Sequence, residues 1–226
     1  MEPTNEQLLE RIDSYIETLF ISPRGFSDAL AQCLSDAAAA GLPPIQISPN
    51  EGKLLYSVAK LARAARVLEI GTLGGYSSIW LARALPAHGS LVTLEINSRY
   101  AEVARASVNR ARFGDIVEIR VGAANESLLG LIRSGVEPFD LIFIDADKSS
   151  YVEYLNLSLQ LSHSGTVILA DNVIRGGAVL EDVCVDANDS GAKAYNEAIA
   201  RHPRLDSLIL PILRARVDGV AMSIVR

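Results

Sequence analysis

The chain is short of lysine, cysteine and histidine. Among 226 residues there are four lysines (Lys53, Lys60, Lys148 and Lys193) against 17 arginines, with two cysteines, three histidines and one tryptophan. Cys33 and Cys184 stand far apart, in neither a CxxC nor a metal-binding spacing, which excludes a disulfide framework and points to a reducing, cytoplasmic setting. His88, His163 and His202 sit in turn-like contexts beside Pro or Gly, read as exposed loop positions, and none is assigned to catalysis. No stretch approaches the roughly 18 uncharged apolar residues of a membrane span. The opening Met1-Glu2-Pro3-Thr4-Asn5-Glu6 is acidic and does not read as a secretory signal. Basic charge is in deficit too: 21 Lys and Arg face 27 Asp and Glu, for a net charge of -6. Such a surface repels phosphate backbones and anionic lipid, so no nucleic acid and no membrane is expected as a partner. Apolar residues are not scarce. At 49% of the chain they suffice for a substantial core and exclude disorder as the main state.

The spacing of those apolar residues gives the organisation. Leu8, Ile12, Ile16 and Leu19 recur at helical intervals behind Thr4 and Gln7, which have the form of a capping box. An Ala-rich helix is predicted from about Ser27 to Ala40, ended by Gly41 and Pro43-Pro44. Ser48-Pro49-Asn50-Glu51 signals a third helix start, with Leu54, Leu55, Val58 and Leu61 expected toward the core. After residue 65 short apolar runs (Val67–Ile70, Leu91–Leu94, Ile116–Val121, Leu141–Ile144, Val167–Leu169) alternate with helix-length amphipathic stretches. This is the pattern of a parallel sheet with helical crossovers. Leu208–Ile212 and Val220–Val225 are too close for a crossover and predict an antiparallel hairpin, so the last strand reverses. The expectation is one α/β domain over 1–226, with an N-terminal helical segment at 1–63 and a doubly wound, Rossmann-like core at 64–226.

In open parallel sheets ligands bind beyond the carboxyl ends of the strands, and four predicted strand ends carry polar residues there. Glu69-Ile70-Gly71-Thr72-Leu73-Gly74-Gly75-Tyr76-Ser77 leads from a buried strand through a Gly-rich turn into a helix. Its G-x-x-G-G spacing is not that of dinucleotide binders and lacks the phosphate-binding lysine, so a pyrophosphate is disfavoured, while Glu69 suits a cationic group. Glu95 at the second strand end is placed to accept ribose hydroxyls, and Gly122-Ala123-Ala124 leaves room for an adenine. Phe143-Ile144-Asp145-Ala146-Asp147-Lys148 and Ala170-Asp171-Asn172 close the fourth and fifth runs. Asp145, Asp171 and Asn172 are hard oxygen donors suited to Mg²⁺ or Ca²⁺. Either Asp alone reads equally as a helix cap. Lys148 beside such a site has the surroundings that let a lysine serve as a base.

These motifs, in this order, resemble the class I, cation-dependent O-methyltransferases of the catechol and caffeoyl-CoA type. The likeness runs over nearly the whole chain from about Ile45 and includes Ser48-Pro49-Asn50-Glu51-Gly52. It implies a seven-stranded, mostly parallel sheet whose last strand is antiparallel. It further implies Mg²⁺-dependent methyl transfer from S-adenosylmethionine to a phenolic hydroxyl of a small catechol-like substrate. By the same resemblance Ile47, Glu69, Gly71, Thr72, Gly75 and Ser77 line the cofactor site, Glu95 takes the ribose, Ala124 the adenine, and Asp147 and Tyr154 the amino-acid end. Asp145, Asp171 and Asn172 hold the metal, with Asp145 also at the cofactor, Lys148 is the base, and Lys148, Asn172 and Arg175 meet the substrate. The sequence departs from the family at Gly176, where the plant enzymes acting on CoA thioesters carry Asn. It departs again at Arg175, where bacterial relatives carry an aromatic residue, and at the hairpin Leu213–Asp218, which looks longer than usual. Gly176 counts against a caffeoyl-CoA substrate, and Arg175 reads either as a contact for a substrate carboxylate or phosphate or as a solvated residue. Tyr15, Ile16, Leu19 and Phe20 of the first helix either cover the site or form an interface, and the resemblance favours a homodimer. Two other readings of the residues stand beside this one: a nicotinamide-dependent dehydrogenase, and a module that binds the cofactor without catalysis.

Overall fold

The computed structural model describes residues 4–21, 27–212 and 217–226. Helices α1 (Asn5–Phe20), α2 (Ser27–Ala39) and α3 (Pro49–Leu61) precede an alternating core. That core runs β1 (Arg66–Ile70), α4 (Tyr76–Ala84), β2 (Ser90–Glu95), α5 (Ser98–Arg110), β3 (Val117–Val121), α6 (Ala124–Arg133) and β4 (Phe139–Ile144). It continues through α7 (Tyr151–Ser158), β5 (Ser162–Ala170), α8 (Ala187–Arg201), β6 (Leu205–Ile212) and β7 (Asp218–Val225).

Local chemistry sets the helix starts. Thr4 and Gln7 at α1, and Ser48 and Glu51 at α3, each close a reciprocal capping box, and Pro49 occupies the first turn, where a missing N–H costs nothing. The third helix turns Leu55 and Val58 inward as expected, with Leu54 partly buried against the same core. Leu61 is 84% exposed instead. Ala59 takes the inward place, and Leu61 is the last residue of the helix, before the cap at Ala62.

The seven strands lie in the order β3-β2-β1-β4-β5-β7-β6. The first five are parallel and β7 is antiparallel to both of its neighbours, so the hairpin prediction holds. Its connection, residues 213–216, lies outside the described residues, and with it the predicted extra length. The period-two alternation of the strands divides the core. Val67, Leu91, Leu141, Phe143 and Leu169 pack under α2, α3 and α4. Leu68, Ile70, Leu94, Ile142, Ile144 and Ile168 pack against α6, α7 and α8. Both faces are therefore covered, as a parallel sheet requires. Among the described residues no helix is long and apolar enough to cross a membrane.

His163 is not in a turn. It opens β5, and its ring lies 3.0 Å from Asp140 Oδ1, while Asp140 Oδ2 accepts the backbone N–H groups of Ala65 and Arg66 at 2.8 Å each. Hydrogen bonds to Ser164 and Asp140 push the imidazole pKa up. Burial opposes ionisation of Asp140, but the N–H groups of Arg66 and Ala65 and the imidazole outweigh it and hold the carboxyl below the usual range. A raised histidine pKa contributes stability that is complete below the unfolded value, near 6.5, and fades as pH rises through the folded value. The pair is partly solvated, so its worth is on the order of 0.5 kcal/mol. His163→Ala should therefore be destabilised in urea unfolding at pH 6, with a gap that narrows by pH 9. A gap that widens toward pH 9 contradicts the assignment.

Candidate active site

Three backbone bonds continue the parallel ladders past the strand ends. Asp145 N–H donates to the Ile70 carbonyl at 2.8 Å, Asp171 N–H to Ile144 at 3.0 Å, and Gly71 N–H to Leu94 at 3.0 Å. They gather the residues after β1, β2, β4 and β5 on one rim. Gly71 has φ +102, and a Cβ there would lie 2.1 Å from the Asp145 carbonyl oxygen, so the approach of β1 to β4 requires glycine.

Above this rim is a cavity of about 680 Å³. Of the residues singled out in the sequence, Ile47, Gly71, Thr72, Ser77, Glu95, Ala124, Asp145, Asp147, Lys148, Tyr154, Asn172 and Arg175 line it. Glu69, Gly75 and Asp171 stand behind its wall. Gly75 is the N-cap of α4 with φ +87.

At one end Glu95 is fixed by two backbone donors, Leu73 N–H to Oε2 at 2.8 Å and Asn97 N–H to Oε1 at 2.9 Å. Glu69 is fully buried and linked to the wall rather than part of it. Thr93 donates to its Oε2 at 2.6 Å, Ser78 donates to the same oxygen, and Thr93 is 2.6 Å from the hydroxyl of the lining residue Thr72. Its Oε1 has no partner among the described residues, and burial pushes the carboxyl up to about 7 despite these hydroxyls. The reason sits in the pleat: odd-numbered residues of β1 face the helices α3 and α4, so Glu69 points under the Gly-rich turn.

Midway, Asp147 accepts the Tyr154 hydroxyl at 2.6 Å and the hydroxyls of Ser149 and Ser150. Burial works against its charge, but the hydroxyls of Ser150, Tyr154 and Ser149 outweigh it and hold the carboxyl below the usual range.

The far end is acidic and dry. Asp171 is 3% exposed and Glu51 6%. Burial pushes the Asp171 carboxyl well up, and the charges of Asp145 and Glu51 push the same way. Lys148, 8% exposed, answers them with its Nζ 2.9 Å from Asp145 Oδ1 and 3.0 Å from the Ala146 carbonyl. Among the described residues one ammonium, Lys148, faces the two carboxylates Asp145 and Asp171, an excess of negative charge in a low dielectric. A divalent cation fits that excess, and the donors suit a hard ion: two carboxylates and the Asn172 amide. Asn172 follows with φ 56, a left-handed conformation that Asn tolerates better than most residues, its N–H donating to Asp171 Oδ1 at 2.7 Å. Among the described residues no group of three His, Cys, Asp or Glu has metal-binding geometry, and the candidate set here includes an amide.

Several supports were not visible in the sequence. Asn188 of α8 accepts the backbone N–H groups of Lys148 at 2.9 Å and Ser149 at 3.4 Å. Gly191 lets α8 touch the Lys148 carbonyl, 2.1 Å from where a Cβ would lie. Tyr151 is fully buried, its hydroxyl 2.9 Å from the Asp171 carbonyl and 3.2 Å from that of Ile144, its ring 5.3 Å from Lys148 Nζ. No periodicity signals Asn188 and Gly191, because they lie on a helix remote from the motif they serve. Cys33 is buried against the Gly74 carbonyl at 3.3 Å and lines the cavity. Arg175 is not a solvated residue: its Nε is 2.7 Å from Asp189 Oδ1, and its side chain is 22% exposed.

The Tyr151 hydroxyl bridges β4 and β5, whereas the buried hydroxyl of Tyr195, in edge contact at 5.4 Å, has no partner among the described residues. Tyr151→Phe should cost about 1–2 kcal/mol in denaturant unfolding, and Tyr195→Phe should be neutral or stabilising. Equal losses would show that packing alone governs the pair.

Comparison with known proteins gives one consistent answer. A family profile described as O-methyltransferase matches residues 24–224. A catechol O-methyltransferase of Niastella koreensis is 43% identical over 98% of this chain and all of its own length. The catechol O-methyltransferase of Mycobacterium tuberculosis is 42% identical over 95% of both. The O-methyltransferase of Bacillus cereus, solved with SAH, superposes with a TM-score of 0.92 at 40% identity, covering 96% of this chain and 97% of that one.

Proposed function

This chain belongs to the O-methyltransferase family, and on that premise we propose that it methylates a phenolic hydroxyl of a small catechol-like substrate with S-adenosylmethionine as donor and a divalent cation, Mg²⁺, as cofactor. The observation that carries this reading is the meeting of Lys148, Asp145 and Asn172 at one end of the cavity, backed by the charge of Asp171 behind the wall, while the other end presents Glu95. The Bacillus cereus relative holds SAH, the demethylated donor, and the curated relatives are named for catechol. Family membership leaves no place for the dehydrogenase reading.

In this reading Glu95, its oxygens already oriented by Leu73 and Asn97, receives the ribose hydroxyls, with Ala124 and Ile47 against the adenosine. Gly71, Thr72 and Ser77 meet the methionine part, and Asp147 with Tyr154 holds its ammonium. Glu69 and Gly75 act from behind the wall, Glu69 through the Thr93–Thr72 chain and Gly75 through the turn into α4. Bound S-adenosylmethionine supplies a sulfonium-activated methyl group, and a cation at Asp145, Asp171 and Asn172 supplies the Lewis acidity that eases ionisation of a phenol whose free pKa is near 10. Lys148 is the residue placed to take the phenolic proton, its Nζ held by Asp145 Oδ1 at the cation end. Asn188, Gly191 and Tyr151 keep the Lys148 turn in register with Asp171. The exposed apolar row Leu8, Ile12, Tyr15 and Leu19 of α1 supports a homodimer, and the free thiols Cys33 and Cys184 accord with a cytoplasmic setting.

Two variants test this. Asp171→Ala should abolish Mg²⁺-dependent turnover of catechol while calorimetry shows cofactor affinity within a few-fold of wild type. Full activity of that variant in EDTA contradicts the metal assignment. Lys148→Ala should lower kcat by about a hundredfold or more with a smaller change in KM, the usual scale for loss of a general base. An unchanged kcat at neutral pH removes Lys148 from that role.

A further inference from the structure

Arg175 stands on the wall of the cavity at the end that also holds Lys148, Asn172 and Asn188. Its backbone is pinned: the N–H groups of Ile174 and Arg175 both donate to Asp218 Oδ1, at 3.1 and 3.0 Å, and the next residue, Gly176, donates to the Val217 carbonyl at 2.8 Å. The guanidinium is turned onto α8, with Nε 2.7 Å from Asp189 Oδ1 and Nη2 3.9 Å from Asp186 Oδ1. Arg175 and Asp189 are both largely shielded, at 22% and 19% side-chain exposure. An arginine beside a substrate cavity ordinarily offers a fork of donors to a carboxylate or phosphate. Here a carboxylate of the protein already takes the Nε edge, and a second lies close by.

The charge around this end of the cavity points the same way. Among the described residues Asp186 and Asp189 stand against one cation, Arg175, while Asp145 and Asp171 are met by Lys148 and by the divalent ion proposed there. A substrate carboxylate drawn to Arg175 must displace Asp189 from the guanidinium or lie beside Asp189 and Asp186. A neutral substituent meets neither penalty, and an ammonium is attracted.

We infer that the Arg175–Asp189 pair sets the charge class of the methyl acceptor: neutral and cationic catechols are accepted, and carboxylate-bearing ones are refused because Asp189 occupies the arginine that would bind them. This deepens the function proposed above and rests on its placing of the acceptor at the Lys148–Asn172 end. Asp189 acts as a specificity-determining residue, with no part in proton or methyl transfer.

The test uses the full chain with S-adenosylmethionine and Mg²⁺ and three acceptors sharing the same vicinal diol: methylcatechol (neutral), dopamine (cationic) and protocatechuate (anionic). Differences in intrinsic acidity cancel when each variant is compared with wild type on the same acceptor. Asp189→Asn, which keeps shape and removes charge, should raise kcat/KM for protocatechuate about tenfold, equivalent to ~1.4 kcal/mol, and leave methylcatechol within about twofold. Asp186→Asn, removing the more distant partner, should give the same change in smaller measure, and adding Arg175→Gln to Asp189→Asn should cancel the gain. A gain of function on one acceptor cannot come from misfolding. Equal effects on all three acceptors, or a wild-type enzyme that uses protocatechuate as well as dopamine, overturn the inference. A wild-type enzyme silent on all three overturns instead the function on which it rests, and the inference falls with it.

Discussion

Parallel pairing of β1, β4 and β5 is the constraint on which the site depends. In parallel neighbours every strand ends at the same edge, so the residues just past Ile70, Ile144 and Ala170 must meet. Each strand end donates one more backbone bond to its neighbour, and Gly71 removes the side chain that would hold the ends apart. The result is electrostatically expensive. Asp145 and Asp171 are brought together, Asp171 where water is largely excluded, and among the described residues Lys148 balances one of the two charges. A fold selected for stability alone would place apolar residues here. Retaining the carboxylates makes sense where a cation completes the set.

The rest of the cavity follows from that arrangement. Its two ends differ in how their acids are held. Glu95 and Asp147 have their charges satisfied by backbone N–H groups and hydroxyls, so they remain as ready acceptors for a ligand's own donors. Asp171 has one such donor, the Asn172 N–H, against burial and two neighbouring carboxylates, surroundings that favour a cation. Glu69 belongs to neither group. Sealed under the glycine turn and joined to Thr72 through Thr93, it stiffens the wall from inside. Around Lys148 the supports converge from three directions, the β4 end, α7 through Tyr151 and α8 through Asn188 and Gly191, so the position of Nζ is set by the fold and not by the loop alone.

Much of this was legible in the sequence because it is written in local patterns. The capping residues Thr4 and Ser48 mark helix starts, continuous apolar runs mark doubly covered strands, and the short gap before Val220 marks the reversal of the last strand. Polar residues at strand ends, where no packing needs them, gave most of the site. What stayed hidden depends on partners distant in the chain. Glu51 reads as a capping residue and is one, yet its charge also reaches Asp171. Asn188 lies forty positions from the lysine whose backbone it holds, and Asp189 fourteen from the arginine it neutralises. His163 pairs with Asp140 across two adjacent parallel strands. Glu69 was read as a wall residue because the motif shows that it is present but not which way the pleat turns it. Leu61 keeps the helical period but, at the last position of its helix, is exposed.

The central claim is that the buried acids at the ends of β4 and β5 form a cation site built by strand pairing. Calorimetric titration of Mn²⁺ into the purified chain measures this without turnover. One ion should bind per chain to the wild type, and none to a variant carrying both Asp145→Asn and Asp171→Asn that remains folded. Absence of binding to the wild type, or binding undiminished in that variant, would contradict the account.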